Sequence, residues 1–186
     1  MTRIFDVFFS LLGLVIGAPL LVFLYFLVWL DSGLPLFWQE RVGRHQKSFA
    51  LVKFRTMRPN AASIATHLVD ASEVTKLGHF LRRTKLDELP QLWNVLRGEM
   101  SLVGPRPCLL NQNELIRERA SRGVFAVRPG ITGLAQVNGL DMSTPKLLAQ
   151  LDARMLRDLS VPTYFSYIIK TVIGAGRGDR IRQDRP

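Results

Sequence analysis

The N-terminal stretch carries the strongest hydrophobic pattern in the chain. Residues 7–30 include no charged side chain and are rich in leucine, valine and phenylalanine. A helix needs roughly 20 apolar residues to cross a bilayer, whereas the apolar region of a cleaved signal peptide is only about 7 to 15 residues long. The pattern therefore predicts a membrane helix within residues 1–35.

Two features bear on whether this helix crosses the membrane or turns back. Pro19, preceded by Ala18, lies near its middle, where a proline removes a backbone donor and favours a kink. Basic residues, which favour the cytoplasmic side, flank both ends, with Arg3 before the apolar run and Arg41 and Arg44 after it. A re-entrant helix would keep both flanks on one side. A kinked transmembrane helix is the alternative that these features leave open.

The segments after the helix predict two short strands. Residues 36–44 have the pattern of an amphipathic strand or turn, and the alternation over residues 49–57 predicts a strand with Lys53 and Arg55 on one face. Two such cations can bind a phosphate, although an ordinary solvated strand face has the same pattern. The following residues 59–73, rich in Ala, Ser and Thr, predict a surface loop.

Helical periodicity appears next over residues 74–83. A second helix is predicted to begin at Thr84, because Thr84 and Asp87, three positions later, match the pattern of a capping box. Capping alone would explain the carboxylate of Asp87. Its catalytic interpretation therefore depends on the residues around it.

Two amphipathic helices are predicted near the C-terminus. Apolar residues recur at helical spacing over residues 147–156 and again over residues 168–173. These helices either pack on a core or rest one face on lipid. Four arginines make the end of the chain a basic tail, namely Arg177, Arg180, Arg182 and Arg185.

Composition narrows the partner without identifying it. The chain has 186 residues, enough for one domain, and a net charge of +10 with a pI near 10.6. Such a charge predicts an acidic partner, which nucleic acid, an anionic lipid surface or a phosphorylated small molecule would each satisfy. Cys108 is the only cysteine, so no intrachain disulfide forms. The three histidines lack zinc-site spacing, and no Walker loop is present.

The candidate chemistry lies in residues 84–96. Asp87 and Glu88 are adjacent carboxylates in a strongly cationic protein, and Gln91 lies on the polar side of the same predicted helix. A carboxylate pair can hold a divalent metal or attack a phosphorus atom. The start of a helix also offers backbone N–H groups to an anion. The combination indicates phosphoryl chemistry.

Two turns add candidate ligand contacts. The Gly-Pro-Arg-Pro run at residues 104–107 predicts a rigid turn that presents Arg106, whose planar fork matches phosphate oxygens. Residues 127–139, with Arg128 and Gln136, predict a tight turn before a short strand. That turn either brings backbone amides near a nucleotide or is an ordinary turn.

With these motifs in place, the chain resembles the monotopic phosphoglycosyl transferases of bacteria, also called bacterial sugar transferases or undecaprenyl-phosphate sugar phosphotransferases. The resemblance covers nearly the whole chain, and the length resembles that of minimal members holding only the catalytic core. Beside the helix with its central proline, the matching motifs occupy residues 39–43, 53–57, 81–84, 86–91, 104–107 and 128–133.

The resemblance implies an α+β fold that is mainly helical, with a short β element. Residues 36–186 would form a catalytic domain at the cytoplasmic face of the bacterial inner membrane, including the amphipathic C-terminal helices and the basic tail. Residues 1–35 would form a re-entrant membrane helix bent at Ala18 and Pro19. The family often has serine at the position of Ala18, so a hydrogen bond from that hydroxyl is missing here.

The implied reaction moves a phospho-sugar from a UDP-sugar to a polyprenyl phosphate and releases UMP. Asp87 would attack phosphorus and form a covalent intermediate, and Glu88 would assist with metal or proton handling. The implied cofactor is Mg²⁺, with Asp87 as its ligand. The residues expected to bind substrate are Lys53, Arg55, Arg83, Gln91, Arg106, Arg128 and Gln136.

The expected partners are therefore a UDP-sugar, a polyprenyl phosphate and inner-membrane lipids, with no nucleic acid. A homodimer through the C-terminal helices is a further hypothesis. The alternative function is a membrane-anchored basic module that binds nucleic acid or anionic lipid without catalysis. Such a module would not need Asp87.

Overall fold

A long apolar helix opens the fold. The computed structural model describes residues 2–59 and 71–175, and its first helix, α1, spans Thr2–Ser32. Within the described residues, α1 is the one helix long and apolar enough to cross a membrane. Pro19 lies inside α1, and both Pro19 and Ala18 are exposed.

The start of α1 is fixed to the rest of the chain by a buried carboxylate. Asp6 Oδ1 accepts hydrogen bonds from the hydroxyl of Ser101 at 2.9 Å, the amide of Leu102 at 2.9 Å and the hydroxyl of Tyr164 at 2.8 Å. A buried polar group requires such partners, because burying it without them is costly. The first turns of α1 therefore have one defined position on the domain.

The end of α1 also packs on the domain, whereas its middle does not. Leu24 and Val28 are buried in one apolar cluster with Phe54 and Leu81. Between the two packed ends, no residue from 15 to 20 is buried. The helix thus contacts the same domain at both ends and stands clear of it near Pro19.

Two small sheets support the site. Strands β1 (Leu36–Val42) and β2 (Ser48–Phe54) pair antiparallel. Strands β3 (Ser101–Val103) and β4 (Gly130–Thr132) pair parallel. Both predicted N-terminal strands are confirmed, although β2 ends one residue before Arg55.

The remaining elements are mostly helical, as expected for an α+β fold. Helices α4 (Asn113–Ser121) and α6 (Pro145–Arg157) pack with β1 around a core that includes Cys108. Short 3₁₀ turns occupy Arg44–Gln46, Ala71–Glu73, Leu86–Glu88 and Val124–Ala126. The helices after the first sheet are α2 (Lys76–Thr84), α3 (Gln91–Arg97), α4 (Asn113–Ser121), α5 (Leu134–Val137), α6 (Pro145–Arg157) and α7 (Val161–Val172).

The predicted helix start at Thr84 is wrong. Thr84 is the last residue of α2, and its hydroxyl donates back to the carbonyls of Phe80 and Leu81 at 2.8 and 3.1 Å. Lys85 then adopts a left-handed conformation with φ of 59°, which ends the helix. Helix α3 begins only after Pro90. Asp87 therefore lies in a linking turn and has no capping role.

The two amphipathic C-terminal helices are confirmed as α6 and α7. On α7, Tyr164 and Tyr167 are buried in the core, whereas Ile169 and Val172 are exposed. Core packing and an exposed apolar face therefore coexist on this helix. The basic tail, and most of the loop predicted at residues 59–73, lie outside the described residues.

Candidate functional site

The site is built around the short turn Leu86–Glu88 between α2 and α3. Leu86 and Leu89 pack into the apolar cluster beneath the end of α1. This packing anchors the turn on both sides of the carboxylates. Asp87 is 6% exposed and makes no hydrogen bond or ion pair with the described residues. Its carboxylate is therefore available to a ligand.

Glu88, in contrast, is engaged by an arginine. Arg106 Nη2 donates to Glu88 Oε1 at 2.8 Å. Burial would raise the pKa of Glu88, but the charge and hydrogen bond of Arg106, with Lys85 and Lys53, outweigh burial and hold that pKa below its ordinary value. Glu88 also raises the pKa of Arg106. The two side chains thus form a fixed, fully charged pair beside Asp87.

The electrostatics of Asp87 are different. Burial, together with the negative charge of Glu88, raises the pKa of Asp87 to about 6, against the opposing charges of Lys53, Arg82 and Arg106. At neutral pH, Asp87 is therefore ionised but poorly solvated. A carboxylate in that state is a competent nucleophile or base, since little hydration has to be removed before it reacts.

Lys53 brings a second perturbed group to the site from β2. Burial lowers the pKa of Lys53 to about 8, and the charge of Asp87 counteracts that effect. Its ammonium lies 5.4 Å from the centroid of the Phe37 ring, as does the guanidinium of Arg55. The predicted common face of Lys53 and Arg55 is confirmed, and Lys53 is the member of the pair that acts on Asp87.

Arg82 and Arg41 belong to the site and were missed from the sequence. Arg82 Nε donates to Thr56 Oγ1 at 3.0 Å, and its charge acts on both Asp87 and Lys53. Arg41 Nη1 donates to the carbonyl of Pro107 at 3.1 Å. Burial and the charge of Arg106 lower the pKa of Arg41 to about 10.

A sequence signal for Arg82 lies four residues earlier. A side chain at Gly78 would meet the carbonyl oxygen of Thr56 at 2.0 Å, so α2 approaches this backbone through the face that carries Gly78. Residues four apart share a helix face, which places Arg82 towards Thr56. Arg83 points elsewhere and is exposed.

Three predicted substrate contacts are not brought to the carboxylate pair. Arg55 Nε donates to the carbonyl of Leu34 at 2.9 Å, Arg128 Nε donates to the carbonyl of Gly98 at 2.7 Å, and Arg83 is exposed on α2. None of the three is among the charges that shift Asp87 or Glu88. Contact with a more distant part of a substrate stays a prediction for them.

The two predicted glutamines are both buried. Gln136 Nε2 donates to the carbonyl of Gly104 at 3.2 Å, so it supports the Gly-Pro-Arg-Pro turn. Gln91 opens α3, just beyond the turn that carries Asp87. Arg106 itself is presented by a rigid turn as predicted, and the structure pairs it with Glu88.

The expected magnesium ion fits this site only in company with a phosphate. The described residues contain no group of three or more His, Cys, Asp or Glu that could hold a metal alone. Magnesium is commonly bound by one or two carboxylates together with substrate phosphates. Asp87, whose oxygens have no partner in the part of the chain that the structure describes, and Glu88 would provide that smaller set.

Comparison with known proteins decides the family. The model of the family described as bacterial sugar transferase matches residues 1–177. The chain belongs to the bacterial sugar transferase family. Over 178 residues it is 41% identical to the exopolysaccharide production protein PSS of Rhizobium leguminosarum bv. phaseoli. The aligned region covers 90% of this chain and 88% of that protein.

Other members of the bacterial sugar transferase family are longer than this chain. The undecaprenyl-phosphate galactose phosphotransferase of Salmonella typhimurium is 38% identical over 154 residues, covering 74% of this chain and 32% of that protein. The UDP-galactose-lipid carrier transferase of Erwinia amylovora is 36% identical over 190 residues, covering 91% and 39%. The chain therefore spans less than half the length of these curated relatives.

The raised pKa of Asp87 makes a prediction about stability. The folded state holds the Asp87 proton more tightly than the unfolded chain, so ionisation of Asp87 lowers stability as pH rises from 3.8 to about 6. With EDTA present at pH 7.5, Asp87→Asn should raise the free energy of unfolding by up to about 3 kcal/mol. The gain should fade towards pH 4. Thermal unfolding of the detergent-purified protein at both pH values measures it.

Glu88→Gln is the matched control for this prediction. It leaves Arg106 without its charged partner, so stability at pH 7.5 should fall rather than rise. Equal loss of stability in both variants would contradict the electrostatic description of Asp87.

Proposed function

We propose that this protein transfers a phospho-sugar from a UDP-sugar to a polyprenyl phosphate through a covalent intermediate on Asp87. The observation that carries the proposal is the buried Asp87 carboxylate, which has no partner among the described residues and lies among Lys53, Arg82 and Arg106. Membership of the bacterial sugar transferase family supports the same class of reaction. The names of two relatives, a galactose phosphotransferase and a lipid carrier transferase, agree with the substrates.

Each step of the proposed reaction balances. An Asp87 oxygen attacks the phosphorus that bears the sugar, and the bond from that phosphorus to the bridging oxygen of the diphosphate breaks. UMP leaves with the electron pair. An oxygen of the polyprenyl phosphate then attacks the same phosphorus and breaks its bond to Asp87. The carboxylate is restored, and the lipid carries a diphosphate-linked sugar.

Charge is the main obstacle to the first step, because an anionic carboxylate has to approach an anionic diphosphate. Lys53, Arg82 and Arg106 surround Asp87 and would neutralise the phosphate oxygens as they approach. Glu88 holds the Arg106 guanidinium in place from the other side. Because these cations are set before substrate arrives, little reorganisation is needed during reaction.

Magnesium is part of the proposal. Asp87 and Glu88 are the residues that would hold the ion, and it would neutralise charge on the diphosphate when bound.

We further propose that α1 is re-entrant and that the domain lies on the cytoplasmic face of the bacterial inner membrane. Arg3 donates to the carbonyls of Val95 and Leu96 at 2.6 and 3.0 Å, so the start of α1 is bound to the domain. The end of α1 is packed on the same domain through Val28. A straight transmembrane helix would separate these two contacts by a bilayer. A bend at Ala18 and Pro19 keeps both.

The topology can be tested with a membrane-impermeant maleimide. Thr2→Cys and Asp31→Cys, each in a Cys108→Ser background, place one thiol near either end of α1. Both should react in inverted inner-membrane vesicles, and neither should react in intact spheroplasts. Labelling of one position from each side would contradict the re-entrant arrangement.

The reaction can be tested by nucleotide release from a panel of UDP-sugars with undecaprenyl phosphate and Mg²⁺. The wild type should release UMP from at least one donor, and Asp87→Asn should release none. Arg82→Gln should lower kcat/KM by about 100-fold, because it removes one preorganised charge. Arg117→Gln is the control, since Arg117 is exposed on α4 and is not among the charges that act on Asp87 or Glu88, and it should retain activity within about threefold of wild type.

Three results would contradict the proposed reaction. UDP in place of UMP would indicate transfer of the sugar alone. UMP release by Asp87→Asn would show that Asp87 is not the nucleophile. Absence of release with every donor, together with salt-sensitive oligonucleotide or anionic-vesicle binding that Asp87→Asn leaves unchanged, would favour the non-catalytic binding module.

A further inference from the structure

The backbone that carries Arg106 is held with unusual completeness. Residues 104–108 form an arch, and all five of its consecutive carbonyls accept a hydrogen bond from another element. From the first to the last carbonyl, the donors are Gln136 Nε2 at 3.2 Å, the amide of Gly130 at 2.9 Å, Arg119 Nη1 at 2.8 Å, Arg41 Nη1 at 3.1 Å and the amide of Val42 at 2.9 Å.

The arch also fits closely against β4. A Cβ atom at Gly130 would lie 2.0 Å from the amide nitrogen of Gly104, and a Cβ atom at Gly104 would lie 2.6 Å from the carbonyl oxygen of Arg128. Only glycine fits at both positions. The arch is therefore fixed by backbone contact on one side and by side-chain donors on others.

The central bond of the arch comes from a buried arginine. Arg119 on α4 is 1% exposed, and Nη1 donates to the carbonyl of Arg106 itself. Its Nε and Nη2 atoms lie 2.9 and 2.7 Å from Asp152 Oδ2 on α6. One continuous series of contacts thus joins Asp152, Arg119 and Arg106 to Glu88.

A contribution to stability alone does not explain the buried ion pair between Arg119 and Asp152. A buried ion pair is often no more stabilising than apolar residues of the same volume, because both charges lose their hydration. Burial raises the pKa of the Asp152 carboxyl even though the charge of Arg119 lowers it, which shows that desolvation is costly there. The ion pair instead fixes the orientation of the Arg119 guanidinium. Asp152 binds one edge of the guanidinium, so the remaining N–H group points at the arch.

We propose that Arg119, oriented by Asp152, is a positioning residue that fixes the backbone of Arg106 so that the Arg106 guanidinium meets Glu88 beside Asp87. The inference rests on the proposed function, in which Arg106 neutralises phosphate charge. Arg119 acts only through Arg106 and touches neither Asp87 nor Glu88. Displacement of Arg106 by about 1 Å is enough to lower a rate by roughly 100-fold.

The test uses the double variant Arg119→Met/Asp152→Leu in the full-length protein. It removes both buried charges and keeps apolar volume, so the fold should survive, whereas Arg119→Gln alone would leave Asp152 buried without its partner. Asp152→Asn, which is nearly isosteric, is a second variant that removes only the orienting charge. Thermal unfolding confirms that each variant is folded.

Cys108 provides a readout that does not depend on activity. It is the only cysteine, lies within the arch and is fully buried. Burial raises the pKa of the Cys108 thiol and the charge of Arg119 lowers it, so loss of Arg119 by itself would slow reaction with a disulfide reagent. If the backbone of the arch moves once Arg119 no longer holds it, the Cys108 thiol becomes exposed. We expect labelling of native protein by a soluble aryl disulfide to become about 10-fold faster or more.

Tyr164→Phe is the matched control for labelling. It removes a buried hydrogen bond to Asp6 at the start of α1 and none of the five hydrogen bonds to the arch. It should lower stability and leave Cys108 protected.

Activity provides the second readout through a double-mutant cycle with Arg106→Gln. In the wild-type background, Arg119→Met/Asp152→Leu should lower kcat/KM for UMP release by about 10- to 100-fold. In the Arg106→Gln background it should cause little further loss, because the group being positioned is gone. A general structural defect would lower activity equally in both backgrounds.

Two results would overturn the proposal. One is a folded double variant in which Cys108 stays as protected as in wild type. The other is an unchanged rate of UMP release, or an equal loss in both backgrounds. Should wild type release no UMP from any donor, the proposed reaction fails, and the labelling rate of Cys108 alone decides whether the pair fixes the arch.

Discussion

A carboxylate that is buried beside a second carboxylate, and that accepts no hydrogen bond from the residues the structure describes, constrains the side chains around it. Asp87 can ionise in that position only because cations act on it from a distance. Bonding those cations directly to Asp87 would lower its pKa further and occupy its lone pairs. The structure satisfies the second carboxylate, Glu88, instead and leaves Asp87 open.

That division of roles explains why the supporting cations come from separate parts of the chain. Lys53 lies on β2, Arg82 on α2 and Arg106 on a turn after β3. None is held by Asp87 itself: Arg82 donates to Thr56, Lys53 lies over the Phe37 ring, and Arg106 donates to Glu88. Their positions therefore belong to the fold and do not depend on Asp87 being charged. The same fold contacts both ends of α1, and the proposed re-entrant arrangement would bring the site close to the membrane surface.

Much of this could be predicted from the sequence, where local rules apply. Alternation predicts β2, and helical spacing predicts α6 and α7. Local rules fail where a long-range contact decides the conformation. The capping pattern at Thr84 was overridden because Lys85 adopts a left-handed conformation. Arg82 and Arg83 differ only by rotation around a helix, so packing against Thr56 decides which one enters the site. No sequence pattern indicated Arg119, because its role depends on Asp152 in another helix.

The central claim, a covalent bond to Asp87, is tested most directly by mass spectrometry without an acceptor lipid. Trypsin releases residues 86–97 as one peptide. After incubation with a UDP-sugar donor and Mg²⁺, this peptide should gain the mass of one phospho-sugar on Asp87 and lose it when undecaprenyl phosphate is added. Two results would contradict the mechanism. One is release of more than one UMP per enzyme molecule with no modification of Asp87, and the other is the same added mass on this peptide in Asp87→Asn.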